Sequence, residues 1–327
     1  MQGLIDIWVD TQSWILETVV HPLLFRLGMM TWFSDVTIMV ETFMLGVVQI
    51  IVILVAFRTL ERLAPAERWP DHKLARVDVV YTLLNKLGLL PLVIFFILNP
   101  VNDWLQDFVR EYGLVMPTVE QSVPWLRDKP LLLFFTYFLL YDFAGYWMHR
   151  LQHAVPWWWA LHSLHHSQRQ LTVWADDRNH VLDDVLAATY FAIVALLIGV
   201  APGQFVLILL LSRMIESFSH ANVRFGFGRV LDKLVVDTWF HRTHHARASP
   251  AEPRIHDSNF GAVLPVWDLL FGTAVYDYKR RPTGVDSADA DADNGKGWIG
   301  QQLAAFGRLG RAIATTFRPR RVVHPAE

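Results

Sequence analysis

Four stretches of this chain are too apolar and too long for a water-soluble core, and they limit what it can fold into. They span residues 36–57, 79–98, 131–147 and 185–214. About twenty apolar residues cross a hydrocarbon core. Inside a bilayer the backbone must satisfy its own hydrogen bonds, which leaves helices or closed barrels, and continuous apolar blocks of this length predict helices. The fold class is therefore all-α, an integral membrane protein of about four transmembrane helices or helical hairpins. Composition agrees, with 53% hydrophobic and only 18% charged residues. The first block contains Glu41 as its only charge, and the second encloses Asn85 and Lys86. The third leads directly into His149. Gly199, Pro202 and Gly203 interrupt the fourth, which predicts a tight hairpin or a kinked pair that returns to the side it entered from.

Charge orients these blocks. The link after the first carries Arg58, Arg62, Arg68, Lys73 and Arg76, and short basic links stay in the cytoplasm. The third block then returns its C-terminal end to the cytoplasm, so the region beyond His149 should form a cytoplasmic cap. Residues 1–34 read as an interfacial helix, because Asp10 and Glu17 interrupt their apolar residues and Pro22 limits them. No signal peptide is expected, since the first twenty residues hold Asp6, Asp10 and Glu17 and lack a basic start. The membrane-embedded domain runs over 35–280, with the cap at 148–184 and 216–275. Residues 281–297 read as a flexible acidic linker, and 298–327 as a basic amphipathic helix. That helix suits either an anionic membrane surface or packing on the main body. The net charge of −2 gives no nucleic-acid signal. The absence of cysteine excludes disulfides, thiolate metal sites and a cysteine nucleophile.

Eleven of the fourteen histidines (His149, 153, 162, 165, 166, 180, 220, 241, 244, 245 and 256) fall within 149–256. They include one HxxxH (His149, His153) and two HxxHH clusters (His162, His165, His166 and His241, His244, His245). On a helix, residues three and four apart share a face, so each cluster aims several imidazoles in one direction. Clustered imidazoles would repel one another if protonated, and metal coordination removes that conflict by keeping them neutral. These eight are candidate metal ligands, and His180 and His220, at the two ends of the interrupted fourth block, complete a set of ten. Glu216, four residues before His220, is a candidate ligand or orienting group. Asp177, Asp183, Asp237 and Asp257 are candidates to hold the outer imidazole N–H groups. His256 stands in a loop beside Asp257 and is expected to support the site or lie exposed. Trp157, Trp158, Trp159 and Trp174 surround the second cluster and are candidates for an apolar entrance, although tryptophan also collects at membrane interfaces for its own reasons. About ten nitrogens fit two ions with four or five each. All-imidazole sites suit iron, zinc and copper alike.

Residues 130–275 resemble the fatty acid hydroxylase superfamily, the integral-membrane group that includes sterol desaturases, sterol methyl oxidases and sphingolipid fatty acid hydroxylases. The resemblance is carried by His149-Arg-Leu-Gln-His153, His162-Ser-Leu-His165-His166-Ser167, Asn179-His180-Val-Leu-Asp183 and His220-Ala-Asn222. It continues through His241-Arg-Thr-His244-His245, Asp257-Ser-Asn259-Phe-Gly261 and Trp267-Asp-Leu-Leu-Phe-Gly272-Thr273. It implies a non-haem site of two irons, dioxygen as oxidant, a membrane lipid substrate and a separate electron-donor protein of ferredoxin or cytochrome type. Hydroxylation and desaturation are both open outcomes. The chain departs from the family pattern in two places. His180-Val-Leu-Asp183 stands where members often have His-Pro-x-Glu, and Glu216 stands where the 2-hydroxylase branch has histidine. That favours the sterol-desaturase-like branch or a bacterial relative.

Two other classes compete. A zinc-dependent membrane hydrolase would use a metal-bound water, but the chain lacks HExxH and has more histidines than one zinc needs. A metal-handling membrane protein would place ligands within the spans, whereas these lie at their ends.

Overall fold

The computed structural model describes residues 2–114, 117–199, 202–247, 249–255 and 257–316. Among them there is no β-strand, only isolated bridges between Pro65 and Val223 and between Ala246 and Thr283. The chain opens with α1 (Gln2–Ile15), a π turn, and α2 (His21–Leu27), which stops at Gly28 in the left-handed conformation. Four helices are long and apolar enough to cross a membrane. They are α3 (Met30–Leu63), α5 (Leu89–Glu111), α6 (Pro130–Ala154) and α8 (Val181–Ile198).

The second apolar block does not form one span. It divides at Gly88, whose φ of +77° suits glycine, into α4 (Arg76–Lys86) and α5. The reason lies in Lys86. Its ammonium is buried 3.0 Å from Asp177 and 3.5 Å from Asp176, and a spanning helix could not place it there. α4 therefore supports the base of the cap, while α5 makes the crossing and extends to Glu111.

α6 runs unbroken from the membrane into His149 and His153. Pro156 then begins α7 (Pro156–His166), since proline has no N–H to lose at a helix start and disfavours helix in the residue before it. α8 ends at Gly199, φ +64°, where a β-carbon would come within 2.9 Å of Thr118 Cα. α9 (Pro202–Ser219) returns the chain. Ser217 donates to Asp176 at 2.6 Å, so the segment before α8 and the end of α9 meet. Of the two forms expected for the fourth block, the hairpin is the one found. α10 (Thr238–His244) and α11 (Val266–Phe271) complete the cap.

The cap gathers at one end of the spans. Glu61, near the end of α3, accepts hydrogen bonds from Val173 and Asn222 backbone N–H groups at 2.9 and 2.8 Å. Gln152 of α6 donates to Asp183 of α8 at 2.9 Å. α3 has 34 residues, about 51 Å at 1.5 Å each, against a hydrocarbon core of about 30 Å. Its last turns end within the cap.

The segment read as a flexible acidic linker is packed. Asp293 is fully buried between Lys296 and Arg308, at 2.9 and 2.7 Å, while Asp291 pairs with Arg169 and Asp289 with Arg311. A run of acids reads as solvated when its partners lie far away in sequence. The helix after it, α12 (Trp298–Thr316), packs along α7. Its inward face is polar: Gln301, Gln302 and Arg308 are buried, and Arg308 Nε donates to Ala160 O at 3.1 Å. The apolar stripe of Ile299, Leu303, Phe306 and Ile313 faces outward. The rest of the expected basic helix, residues 317–327, lies outside the described residues.

Candidate metal centre

The helices aim nine histidines at one another. His149, His153, His162 and His166 form one group, with His149 and His153 from α6 and the others from α7. His165, His220, His241 and His245 form a second, fully buried group. A third set, His166, His244 and His245, joins the two. The rings of His166 and His245 stack with centroids 4.3 Å apart.

Hydrogen bonds on the outer side of the rings fix their tautomers. His149 Nδ1 lies 2.8 Å from Phe260 O, His244 Nδ1 2.7 Å from Ser258 O, and His220 Nδ1 2.8 Å from Glu216 O. A carbonyl oxygen only accepts, so each of these Nδ1 atoms carries the proton and each Nε2 keeps its lone pair. His162 Nδ1 meets Asp183 at 3.0 Å, and His153 Nδ1 meets Asp257 at 3.2 Å, with the same consequence.

The inner nitrogens then converge. His220 Nε2 is 3.0 Å from His241 Nε2 and 3.2 Å from His165 Nε2, and His245 Nε2 is 3.1 Å from His241 Nε2. His166 Nε2 is 3.1 Å from both His153 Nε2 and His244 Nε2. His162 Nε2 is buried with no protein partner among the described residues. Where both nitrogens hold lone pairs, such contacts repel unless a cation binds them. Two nitrogens about 2.1 Å from one ion and at right angles lie about 3.0 Å apart, so these separations fit shared metal ions. The donors are all imidazole, a set that accommodates iron.

The protonation state fits too. Burial, reinforced by the neighbouring imidazoles, holds His165, His166, His241 and His245 well below the usual histidine value of 6.5. Burial also lowers His220, with Asp176 opposing the shift. Near neutral pH these five rings are therefore uncharged and able to bind metal.

His180 does not join the cluster. Its Nδ1 accepts from Leu182 N at 3.1 Å, capping α8, and its Nε2 donates to Gln302 O of α12 at 3.1 Å. Both nitrogens are used in the architecture. His256 lies outside the described residues. The supporting acids also divide. Asp183 holds His162 while accepting from Gln152 and from Trp158 Nε1 at 2.6 Å, and Asp257 holds His153. Asp237 touches no ring. It caps α10 by accepting from Trp239 and Phe240 N–H at 3.0 and 2.9 Å, and thereby aims the last HxxHH. Asp177 is taken by Lys86. Glu216 serves through its backbone carbonyl, and its carboxylate lies beside Arg213 at 3.4 Å. Trp159 packs on the rings of His153 and His166 at 4.8 and 5.3 Å. Trp174 instead belongs to a core with Ile53 and Val223.

Sequence reasoning missed the backbone carbonyls of Ser258 and Phe260. Asp257 and Asn259 adopt φ of +56° and +58°, a conformation costly for non-glycine residues unless the surroundings impose it. Asn259 is held by bonds to Phe240 O at 2.9 Å and Val275 O at 3.0 Å, and it accepts from Val275 N at 2.7 Å. Asp268 receives Phe260 N and Gly261 N at 2.8 and 2.7 Å. The motif Asp257-Ser-Asn259-Phe-Gly261 is thus a clamp that turns two carbonyls toward the histidines. The asparagine was its one available signal.

Residues 134–273 match the sequence model of the fatty acid hydroxylase family. Human alkylglycerol monooxygenase is 31% identical over 153 residues, covering 46% of this chain and 32% of that protein. Ornithine lipid hydroxylase OlsE of Rhizobium tropici is 26% identical over 274 residues, covering 80% of this chain and 76% of that protein. The chain thus spans about a third of the length of the human relative. No solved structure gives a significant match.

Proposed function

Because residues 134–273 match the fatty acid hydroxylase family model, we propose that the protein oxidises an unactivated C–H bond of a membrane lipid with dioxygen, using two iron ions held by the histidine groups. The observation that carries this reading is the convergence of nitrogens from nine histidines, five of whose rings are held on the outer side by carbonyls and carboxylates. The relatives' names give an alkylglycerol and an ornithine lipid as what they oxidise. A sterol or a fatty-acyl lipid is the substrate class proposed for this chain. When bound, the metals supply activation of dioxygen.

The chain supplies position. His149, His153, His162, His166 and His244 would hold one ion, and His165, His220, His241 and His245 the other. Asp183 and Asp257 accept the Nδ1 protons of His162 and His153, which keeps each ring oriented and its inner nitrogen basic. Trp159 walls the first group with an apolar face on which an alkyl chain can lie. The buried second group excludes water from the reacting carbon.

A multi-pass membrane protein with its histidines at one end of the spans fits a centre on the cytoplasmic face, where the basic link 58–76 stays. α12 then lies at the boundary. Phe306 packs on His180 at 4.4 Å, immediately before the α8 span, so the outward apolar stripe faces the bilayer. Zinc hydrolysis has less support, because the carboxylates nearest the rings, Asp183 and Asp257, are occupied by imidazole N–H groups. Metal transport has less support because the donors form a closed cluster at the helix ends.

The test is oxygen incorporation. The iron-loaded protein in nanodiscs, given reductant, a lipid extract and 18O2, is expected to yield a lipid alcohol carrying the label, or an alkene with two hydrogens lost. Products labelled only from water would overturn the reading.

A further inference from the structure

Hydroxylation balances as R–H + O2 + 2 e⁻ + 2 H⁺ → R–OH + H2O. Two electrons must therefore arrive for each turnover. The chain has no cysteine to hold an iron–sulfur cluster, so a cluster that delivers them lies outside it. One surface feature matches that demand.

An open concavity of about 860 Å³ lies on the cap, lined by Arg68, Arg169, Arg224, Arg247 and Arg280. All five are exposed. Arg169 and Arg247 are partly neutralised by Asp291 and Asp286. Arg68, Arg224 and Arg280 have no side-chain partner among the described residues. The lone acid in the lining, Glu67, is engaged by Arg242 at 2.6 Å. The concavity is therefore strongly positive on a chain whose formal net charge is −2, and local charge of one sign attracts an oppositely charged partner.

Its position is equally specific. Pro65 to Trp69 of the rim follow the end of α3, the end that reaches the cap through Glu61. The opening thus lies at the cap end of the spans. Its lining is close in the chain to the metal centre. Arg247 follows His245 by two residues, Arg169 follows His166 by three and Arg224 follows His220 by four. His245 O accepts from Gly284 N at 3.2 Å, beside the lining residue Thr283.

We propose that this arginine-lined concavity is the docking site of an acidic, water-soluble one-electron carrier protein that reduces the centre from the His245 side. The proposal rests on the reading of the centre as an O2-dependent oxidase. Each docking event delivers one electron, and the carrier leaves oxidised by one.

The test uses the full-length, iron-loaded protein in nanodiscs, a plant-type [2Fe–2S] ferredoxin as probe, and the triple variant R68E/R224E/R280E. Ferredoxin should bind the native protein, weaken as salt is raised, and bind the triple variant at least about tenfold more weakly. Reduction of the centre by reduced ferredoxin should slow in parallel, while iron content and dithionite-driven reduction stay at native values. Undiminished binding to the variant, or no salt-sensitive binding to the native protein, would overturn the proposal. A native centre that takes electrons from ferredoxin but oxidises no lipid would instead overturn the function, leaving the docking result to stand.

Discussion

The two histidine groups use the same ligand type but are held differently. In the first, His149, His153 and His162 each have an outer partner, the Phe260 carbonyl and the carboxylates of Asp257 and Asp183. In the second, only His220 has one, the Glu216 carbonyl. The Nδ1 atoms of His165, His241 and His245 are buried without a protein partner among the described residues. The second group relies on enclosure, the first on orientation. Outer partners raise ligand basicity and cost 10–100-fold in metal affinity when lost, whereas enclosure slows exchange. The first group should bind its ion more tightly at equilibrium, and the second should release its ion more slowly.

The largest effect should come from the residue that joins the groups. His244→Ala is expected to lower metal content and reduce turnover by more than about 100-fold, because it removes a ligand outright. His72→Ala, remote from the cluster, should leave both unchanged. Metal analysis of the purified variants decides the matter, and full metal retention by His244→Ala would break the scheme.

Lys86→Met comes next. It leaves Asp176 and Asp177 as buried carboxylates without their cation, at a cost of about 3–5 kcal/mol. Asp176 approaches His220 at 3.6 Å, so the second group should loosen first. Thermal unfolding in detergent should fall steeply, and an unchanged midpoint would remove Lys86 from the account.

Asp183→Asn sharpens the comparison directly. It should weaken metal binding by about 10–100-fold, with the loss confined to the first group in a chelator titration. Equal loss from both groups would show that they bind as one unit.

The pH effect is smaller. Burial holds the cluster histidines below 6.5 when folded, while the unfolded chain takes up protons at about 6.5. The unfolded state therefore binds more protons as pH falls through 6.5, and the metal-free protein should lose stability there. The second group, wholly buried, should account for most of that loss. Denaturation midpoints of metal-free protein between pH 7.5 and 5.5 measure it, and a flat profile would contradict the depressed values.

Much of this was legible in the chain. The apolar blocks, the break at Gly199 and the HxxxH and HxxHH spacings led to the helical base, the hairpin and the nine histidines that the structure brings together. What the sequence could not reveal depends on contacts between distant residues. His180 carries the same side chain as the ligands, and only its bonds to Leu182 and Gln302 remove it from the set. Lys86 reads as a blemish in a span until Asp176 and Asp177, ninety residues on, are placed beside it. Asp291 and Asp293 read as solvent-exposed because their arginine partners, Arg169 and Arg308, lie in other segments. The carbonyls of Ser258 and Phe260 have no residue signature, and every residue type offers the same oxygen.

The central claim is that these histidines hold two irons that activate dioxygen on a lipid. Its most direct test is metal analysis of anaerobically purified, iron-reconstituted protein, followed by oxygen uptake on adding reductant and lipid extract. The account predicts two irons per chain and uptake that requires lipid. One zinc per chain that iron cannot replace, with no lipid-dependent uptake, would contradict it.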